Sequence, residues 1–201
     1  MQQWNLKGND SNLITLTRNA FSNDSLEYIE NILSEHSLQE AEVRTSKGNA
    51  VDNSVRSTKV SFFDYTDKRL ENFYRSIVDI VTHTNDFNYY FRLTHIENLQ
   101  YSLYDSSTQD RYDYHLDSPG VYSLKNTLSC RKLSFSLLLD TQGVDYTGGN
   151  FMYMTSSKEN KVEYNRGDIV FFPSYILHKV EPVTSGTRRS IVGWVHGPHW
   201  V

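Results

Sequence analysis

The chain has 201 residues, 38% hydrophobic and 13% aromatic, enough for one buried core, so the expectation is a single domain over 1–201. A formal charge of -4 speaks against a broadly basic nucleic-acid surface, and the lone cysteine, Cys130, excludes an intrachain disulfide. MQQWNLKGND lacks the basic-then-apolar order of a secretory signal and no apolar run approaches about 20 residues, so a cytoplasmic protein with no membrane partner is expected.

No internal repeat or low-complexity tract interrupts the chain. A first helix is expected between Phe21 and His36, capped by Ser22 or Asp24, with Phe21 stapled onto Leu26 and an apolar face of Leu26, Ile29, Ile32 and Leu33. A second follows Thr66 as cap, with Leu70, Phe73, Ile77, Ile80 and Val81 on one stripe. Between them the polar stretch TSKGNAVDNSVRSTKV is long for a connection and reads as a binding loop or lid from Thr45 to Lys59.

From about Ile96 the period changes to two. IENLQYSLY, KLSFSLLLD, GNFMYM, KVEY, DIVFFP, HKVEPV and RSIVGW read as short strands with no helix between them. Turns are marked at Ser118-Pro119-Gly120, Thr147-Gly148-Gly149 and Arg166-Gly167-Asp168. Many short strands after two helices give an α+β fold, mainly β: a jelly roll or barrel with N-terminal helices packed outside. Residues 1–94 would supply helical support and the lid, and residues 95–198 the β core.

Three chemistry-bearing elements follow in order: His115 and Asp117 in RYDYHLDSPG, His178 in YILHKV, and an arginine in GTRRSIVGW. In an extended chain residues two apart share a face, so His115 and Asp117 can both point into a barrel. Two imidazoles and one carboxylate on one side of a metal, with the other side open, is the donor set of non-haem iron(II) oxygenases. If TRRSIVGW is a strand, Arg188, Ser190, Val192 and Trp194 share one face and Arg189 lies on the other. Ser134, Ser136 and Leu138 share a face on KLSFSLLLD, with the inward side left open. His36, His83, His95, His196 and His199 stand outside the pattern and read as structural or exposed.

The runs RKLSFSLLLD, TGGNF and RGDIVFFPSYILHKVEPVTSGTRRSIVGWVHG resemble the iron(II)- and 2-oxoglutarate-dependent oxygenase superfamily in its prolyl-4-hydroxylase-like branch, over roughly half the chain. The resemblance implies a double-stranded β-helix, His115, Asp117 and His178 as iron(II) ligands, and 2-oxoglutarate and O2 as co-substrates, with room for ascorbate as accessory reductant. It also implies a basic residue about ten positions after the distal histidine to grip the far carboxylate of 2-oxoglutarate; Arg188 fits by spacing and face, and Tyr104 would donate to the same group. No catalytic side chain beyond the metal centre is implied. Trp194 would line the pocket, and Arg56, at the exit of the lid loop, and the turn SPGVYSLKNTLSC would flank substrate. Asp117 speaks against halogenase chemistry, in which this carboxylate is replaced.

The implied reaction hydroxylates a third substrate, with peptidyl-proline or another amino-acid side chain in the lead and a free small molecule next, and releases succinate and CO2. A same-fold nucleic-acid demethylase ranks lower because Trp194 stands where a second arginine is expected, so nucleic acid is an unlikely partner; a metal-binding jelly roll without turnover is the rival from another class. Two departures from the family pattern, DSSTQDR without glycines and Asn150 after the glycine pair, bear on the substrate rather than on the metal.

Overall fold

Apolar side chains alternating with polar ones fold the chain into two antiparallel sheets that face each other, with both helices against the outside of the larger one. The computed structural model describes residues 13–45, 48–118 and 129–199. In chain order the elements are β1 (Thr15–Thr17), α1 (Asn23–Leu33), β2 (Gln39–Glu40), β3 (Val43–Thr45), β4 (Gly48–Ala50), β5 (Arg56–Ser57), β6 (Lys59–Phe63), α2 (Glu71–Thr84), β7 (His95–Ile96) and β8 (Leu99–Asp105). They continue as β9 (Arg111–His115), β10 (Ser129–Leu138), β11 (Tyr146–Gly148), β12 (Phe151–Thr155), β13 (Lys158–Val162), β14 (Ile169–Pro173), β15 (His178–Val180) and β16 (Val183–Pro198).

The larger sheet runs β1-β14-β10-β16-β8-β6-β2, with β7 and β11 also on β16; the smaller runs β13-β12-β15-β9-β5. This is the jelly-roll architecture expected from the strand pattern. Alternation assigns the two sides of the large sheet. On β10, Leu133, Phe135 and Leu137 meet Leu26, Ile29 and Leu33 of α1 and Phe73, Ile77 and Val81 of α2. Leu138 turns inward with Phe151, Val170, Phe172 and Val183, which fill one end of the space between the sheets. Ser136 lines a cavity beside them, which Phe151 and Phe172 also border. The face left open by the sequence is therefore resolved: Ser134, Ser136 and Leu138 point between the sheets.

Several local expectations change. Helix α1 is shorter than 21–36: the Ser22 hydroxyl accepts from the Ser25 N–H at 3.3 Å, and the helix stops at the Ser34 cap. The second helix is entered through a 3-10 turn, Lys68–Leu70, capped by Asp67; Thr66 instead donates its hydroxyl to Asp64 at 2.5 Å. The lid loop contains ordered structure, because β3 and β4 form a hairpin and β5 joins the smaller sheet by pairing Arg56 with Tyr112. Ser46, Lys47 and most of the turn SPGVYSLKNTLSC lie outside the described residues.

Arg189 explains how α1 is fastened. It points away from the cavity and pairs with Asp140 at 2.5 Å and Glu30 of α1 at 3.0 Å, and Arg166 holds the same Glu30 at 2.7 Å. Arg189→Ala leaves Asp140 buried without its cation, and we expect a loss of about 1–3 kcal/mol, measured by urea denaturation. An unchanged unfolding midpoint would show that the cluster contributes nothing to holding the helix.

Candidate metal centre

Strand register brings the first two groups together. In the antiparallel pairing of β9 with β15, His178 sits directly opposite His115, and neighbouring strands lie about 5 Å apart. The imidazole centroids are 4.2 Å apart. Asp117 comes two residues after the end of β9, and the next N–H, that of Ser118, donates to the Ser174 carbonyl at 2.9 Å. Asp117 Oδ1 lies 3.6 Å from His115 Nε2, and Oδ2 lies 3.7 Å from His178 Nε2. All three potential ligand atoms fall within 4.8 Å of one another.

The protonation states suit a cation. Each histidine donates Nδ1–H to a backbone carbonyl, His115 to Asp113 at 2.8 Å and His178 to Ile176 at 2.9 Å. That fixes the tautomer and leaves both Nε2 lone pairs facing Asp117. Burial, reinforced by His178, pushes the His115 pKa down to about 3, so its ring is neutral at physiological pH. Burial pushes the Asp117 carboxyl up, but the neighbouring His178, His115 and Arg131 more than offset this and hold it below the usual carboxylate range. Two imidazoles with free Nε2 lone pairs and a carboxylate, open on one side to a cavity of about 680 Å³, fit a divalent transition metal with positions left for other ligands. Tyr112 stacks on His115 with centroids 3.5 Å apart, and Phe172 and Phe151 pack on His178 at 4.5 and 5.4 Å. These rings fix the imidazole planes.

Arg188 lies across the cavity on the large sheet, 1% exposed. Its cross-strand neighbour is Tyr104, whose ring lies 5.4 Å from the guanidinium carbon. Nη2 donates to the Tyr164 hydroxyl at 2.6 Å and Nη1 to Ser190 at 3.3 Å, while Nε is buried with no partner. Space for this side chain comes from Gly149: a Cβ there would stand 2.9 Å from Arg188 Cδ, and its φ of +58° disfavours other residues. A buried guanidinium with a donor to spare has the chemistry to receive a carboxylate.

Ser190, Val192 and Trp194 line the same cavity, as the alternation required, and Arg56 reaches it from β5. His196, read from the sequence as structural or exposed, pairs through Nε2 with Glu97 Oε1 and lines the cavity, as His199 also does. Glu97 in turn receives two hydrogen bonds from Arg131, both 2.6 Å, and Arg131 lies over the Trp194 ring at 3.9 Å. Arg131 escaped sequence reading for a physical reason. Strict alternation puts it with Leu133 and Phe135 on the helix side, but a bulge between Arg131 and Leu133 turns it into the cavity. Tyr164 was read only as the end of the strand KVEY; β13 stops at Val162, and the tyrosine reaches Arg188 from just beyond it.

The fold and site meet in a known class: a double-stranded β-helix with a His/Asp/His cluster facing a buried arginine. The description "2OG-Fe(II) oxygenase superfamily" matches residues 99–196. A PKHD-type hydroxylase of Crocosphaera subtropica is 29% identical over 175 residues, 84% of this chain and 77% of that protein. One of Prochlorococcus marinus is 38% identical over 90 residues, 45% of this chain but only 38% of the relative's length. A prolyl-4-hydroxylase of Pseudomonas putida superposes with a TM-score of 0.71 at 17% identity, over 93% of this chain and 94% of the other. A Trichoplax adhaerens prolyl hydroxylase, solved with a hypoxia inducible factor peptide fragment, gives 0.72 at 15% identity, over 92% and 84%. These matches support a 2-oxoglutarate-dependent hydroxylase of the 2-oxoglutarate- and iron(II)-dependent oxygenase superfamily, and the fold is the one seen in the prolyl-4-hydroxylase structures. Among the described residues no helix is long and apolar enough to cross a membrane.

The Glu97 cluster makes a pH signature. Burial pushes the Glu97 carboxyl up, but hydrogen bonds from His196 and Arg131 outweigh it and bring the pKa down to about 2 from 4.5. A carboxylate held low in the folded state adds stability above its unfolded pKa, and this is lost as the pH falls from about 4.5 towards 2. In urea denaturation across that window, wild type is expected to lose stability more steeply than Glu97→Gln. Parallel pH profiles would uncouple this ionisation from folding.

Proposed function

We propose that His115, Asp117 and His178 hold iron(II), that Arg188 binds the far carboxylate of 2-oxoglutarate with Tyr104 and Tyr164 beside it, and that the enzyme hydroxylates an amino-acid unit, releasing succinate and CO2. The carrying observation is the pairing of a two-imidazole, one-carboxylate cluster with a fully buried guanidinium across a single cavity. Bound together, iron(II), 2-oxoglutarate and O2 supply the oxidising power that protein side chains lack.

The chain's own share is positioning. Asp113 and Ile176 carbonyls keep both Nε2 atoms available, and Asp117 supplies the negative charge that retains a dication. Arg188 sets the depth at which a dicarboxylate can bind, and its two-pronged grip fixes one end of the co-substrate so that the other faces the histidines. Phe151, Phe172 and Val180 line the wall beside His178 and keep water from that side of the centre. Peptidyl-proline is the leading acceptor, because the similar solved structures include prolyl hydroxylases and one holds a peptide. Ascorbate belongs in the same assay as reductant.

Anaerobic addition of iron(II) and 2-oxoglutarate should produce a weak visible charge-transfer band, and oxygen should then release succinate. A metal-binding module without turnover would give neither. His178→Ala is expected to abolish both band and succinate; succinate production retained by that variant would remove His178 from the metal. Arg188→Met, which roughly keeps the volume, is expected to bind iron(II) but to need roughly ten- to a hundredfold more 2-oxoglutarate. An unchanged 2-oxoglutarate titration would place the co-substrate elsewhere.

A further inference from the structure

The cavity wall holds a second buried guanidinium, and the proposal above leaves it without a task. Arg56 is 8% exposed, and its Nε is enclosed with no hydrogen-bond partner. Among the described residues its side chain rests on the ring of Tyr112, its cross-strand neighbour, with the guanidinium carbon 4.5 Å from the centroid, and meets no carboxylate. That same ring stacks on His115, and Arg56, Tyr112 and His115 all line the cavity. The cation therefore stands one aromatic ring from the proposed metal centre.

A ring face offsets part of the cost of desolvating a guanidinium, but buried charges in proteins are ordinarily paired and hydrogen-bonded. The other cations around the cavity have counterparts. Glu97 neutralises Arg131, and on the reading above 2-oxoglutarate neutralises Arg188 while Asp117 belongs to the metal. Among the described residues that line the cavity, Arg56 is the buried charge left uncompensated. Trp194 Nε1, on the facing sheet of the same cavity, is a further buried donor without a partner among the described residues.

We propose that the hydroxylated substrate presents its own carboxylate to Arg56, so that the acceptor is a free amino acid or a chain-terminal residue rather than an internal residue of a peptide. An internal amide carbonyl can accept a hydrogen bond from Arg56 but leaves the charge standing. A carboxylate accepts two parallel hydrogen bonds and cancels it. This assignment rests on the metal-centre reading, since it takes the cavity beside His115 to be the acceptor site.

The test is calorimetric titration of the wild-type protein, loaded with iron(II) and 2-oxoglutarate in the absence of oxygen, with L-proline, N-acetyl-L-proline and a proline-terminated tripeptide, each against its carboxamide. At least one acid is expected to bind roughly ten- to a hundredfold more tightly than its amide. The preference should collapse in both Arg56→Met and Arg56→Gln and survive in part in Arg56→Lys. Equal binding of acid and amide, a preference that persists in both neutral variants, or no binding by any of the acids overturns the proposal. The charge-transfer band of the loaded wild type, recorded first in the same sample, separates the two ways of failing: without the band the metal-centre reading falls, and with it only the role of Arg56 does.

Discussion

The pairing of β9 with β15 is the constraint on which the site depends. A sheet permits one residue opposite each residue, so once His178 faces His115 the two imidazoles cannot drift apart without breaking the ladder. Shifting that register by one would turn one ring out of the cavity and leave Asp117 with a single imidazole beside it. The aromatic residues around the pair hold the ring planes, and the two backbone carbonyls select the tautomer. Rigid sheet geometry thus replaces what a loop-built site would have to secure by side-chain packing alone.

The cationic groups of the cavity follow the same logic on both sheets, with charge in place of metal donors. Arg188 and Tyr104 face one another across β16 and β8, and Arg56 and Tyr112 across β5 and β9. Both arginines are buried against tyrosine, which is a poor substitute for a carboxylate. On the proposed reading, stability is given up to keep each cation dry for an anion to bind. Arg131 is the contrast: already neutralised by Glu97, it shapes the wall beside Trp194 instead of waiting for a charge.

Much of this was legible in the residues, for reasons that differ from place to place. The strands announced themselves because period-two alternation is the physical signature of a sheet with two unlike sides, and β16 shows it from Arg188 to Trp194. Alternation put Arg188 and Arg189 on opposite faces, and the spacing implied by the family resemblance chose Arg188; in the structure the two do point to opposite sides, Arg189 to Glu30 and Asp140. Arg131 was hidden because a bulge breaks the period on which the reading relied. The Thr45–Lys59 segment looked unstructured because short hairpins made of Gly, Asn and Ser carry little apolar pattern, yet β5 within it delivers Arg56 to the cavity. His196 and Glu97 meet only through the closure of β7 onto β16, a contact between residues 99 positions apart that no local pattern records.

The central claim is that one metal ion is held by three side chains from β9, β15 and the turn between β9 and β10, with a dicarboxylate anchored on Arg188. Anomalous diffraction at the iron edge, from crystals grown without oxygen in iron(II) and 2-oxoglutarate, tests it directly. The account requires a single peak bonded to His115 Nε2, His178 Nε2 and an Asp117 oxygen, and density for 2-oxoglutarate joining that peak to the Arg188 guanidinium. A peak away from those three atoms, or a co-substrate whose far carboxylate lies elsewhere than on Arg188, would contradict it.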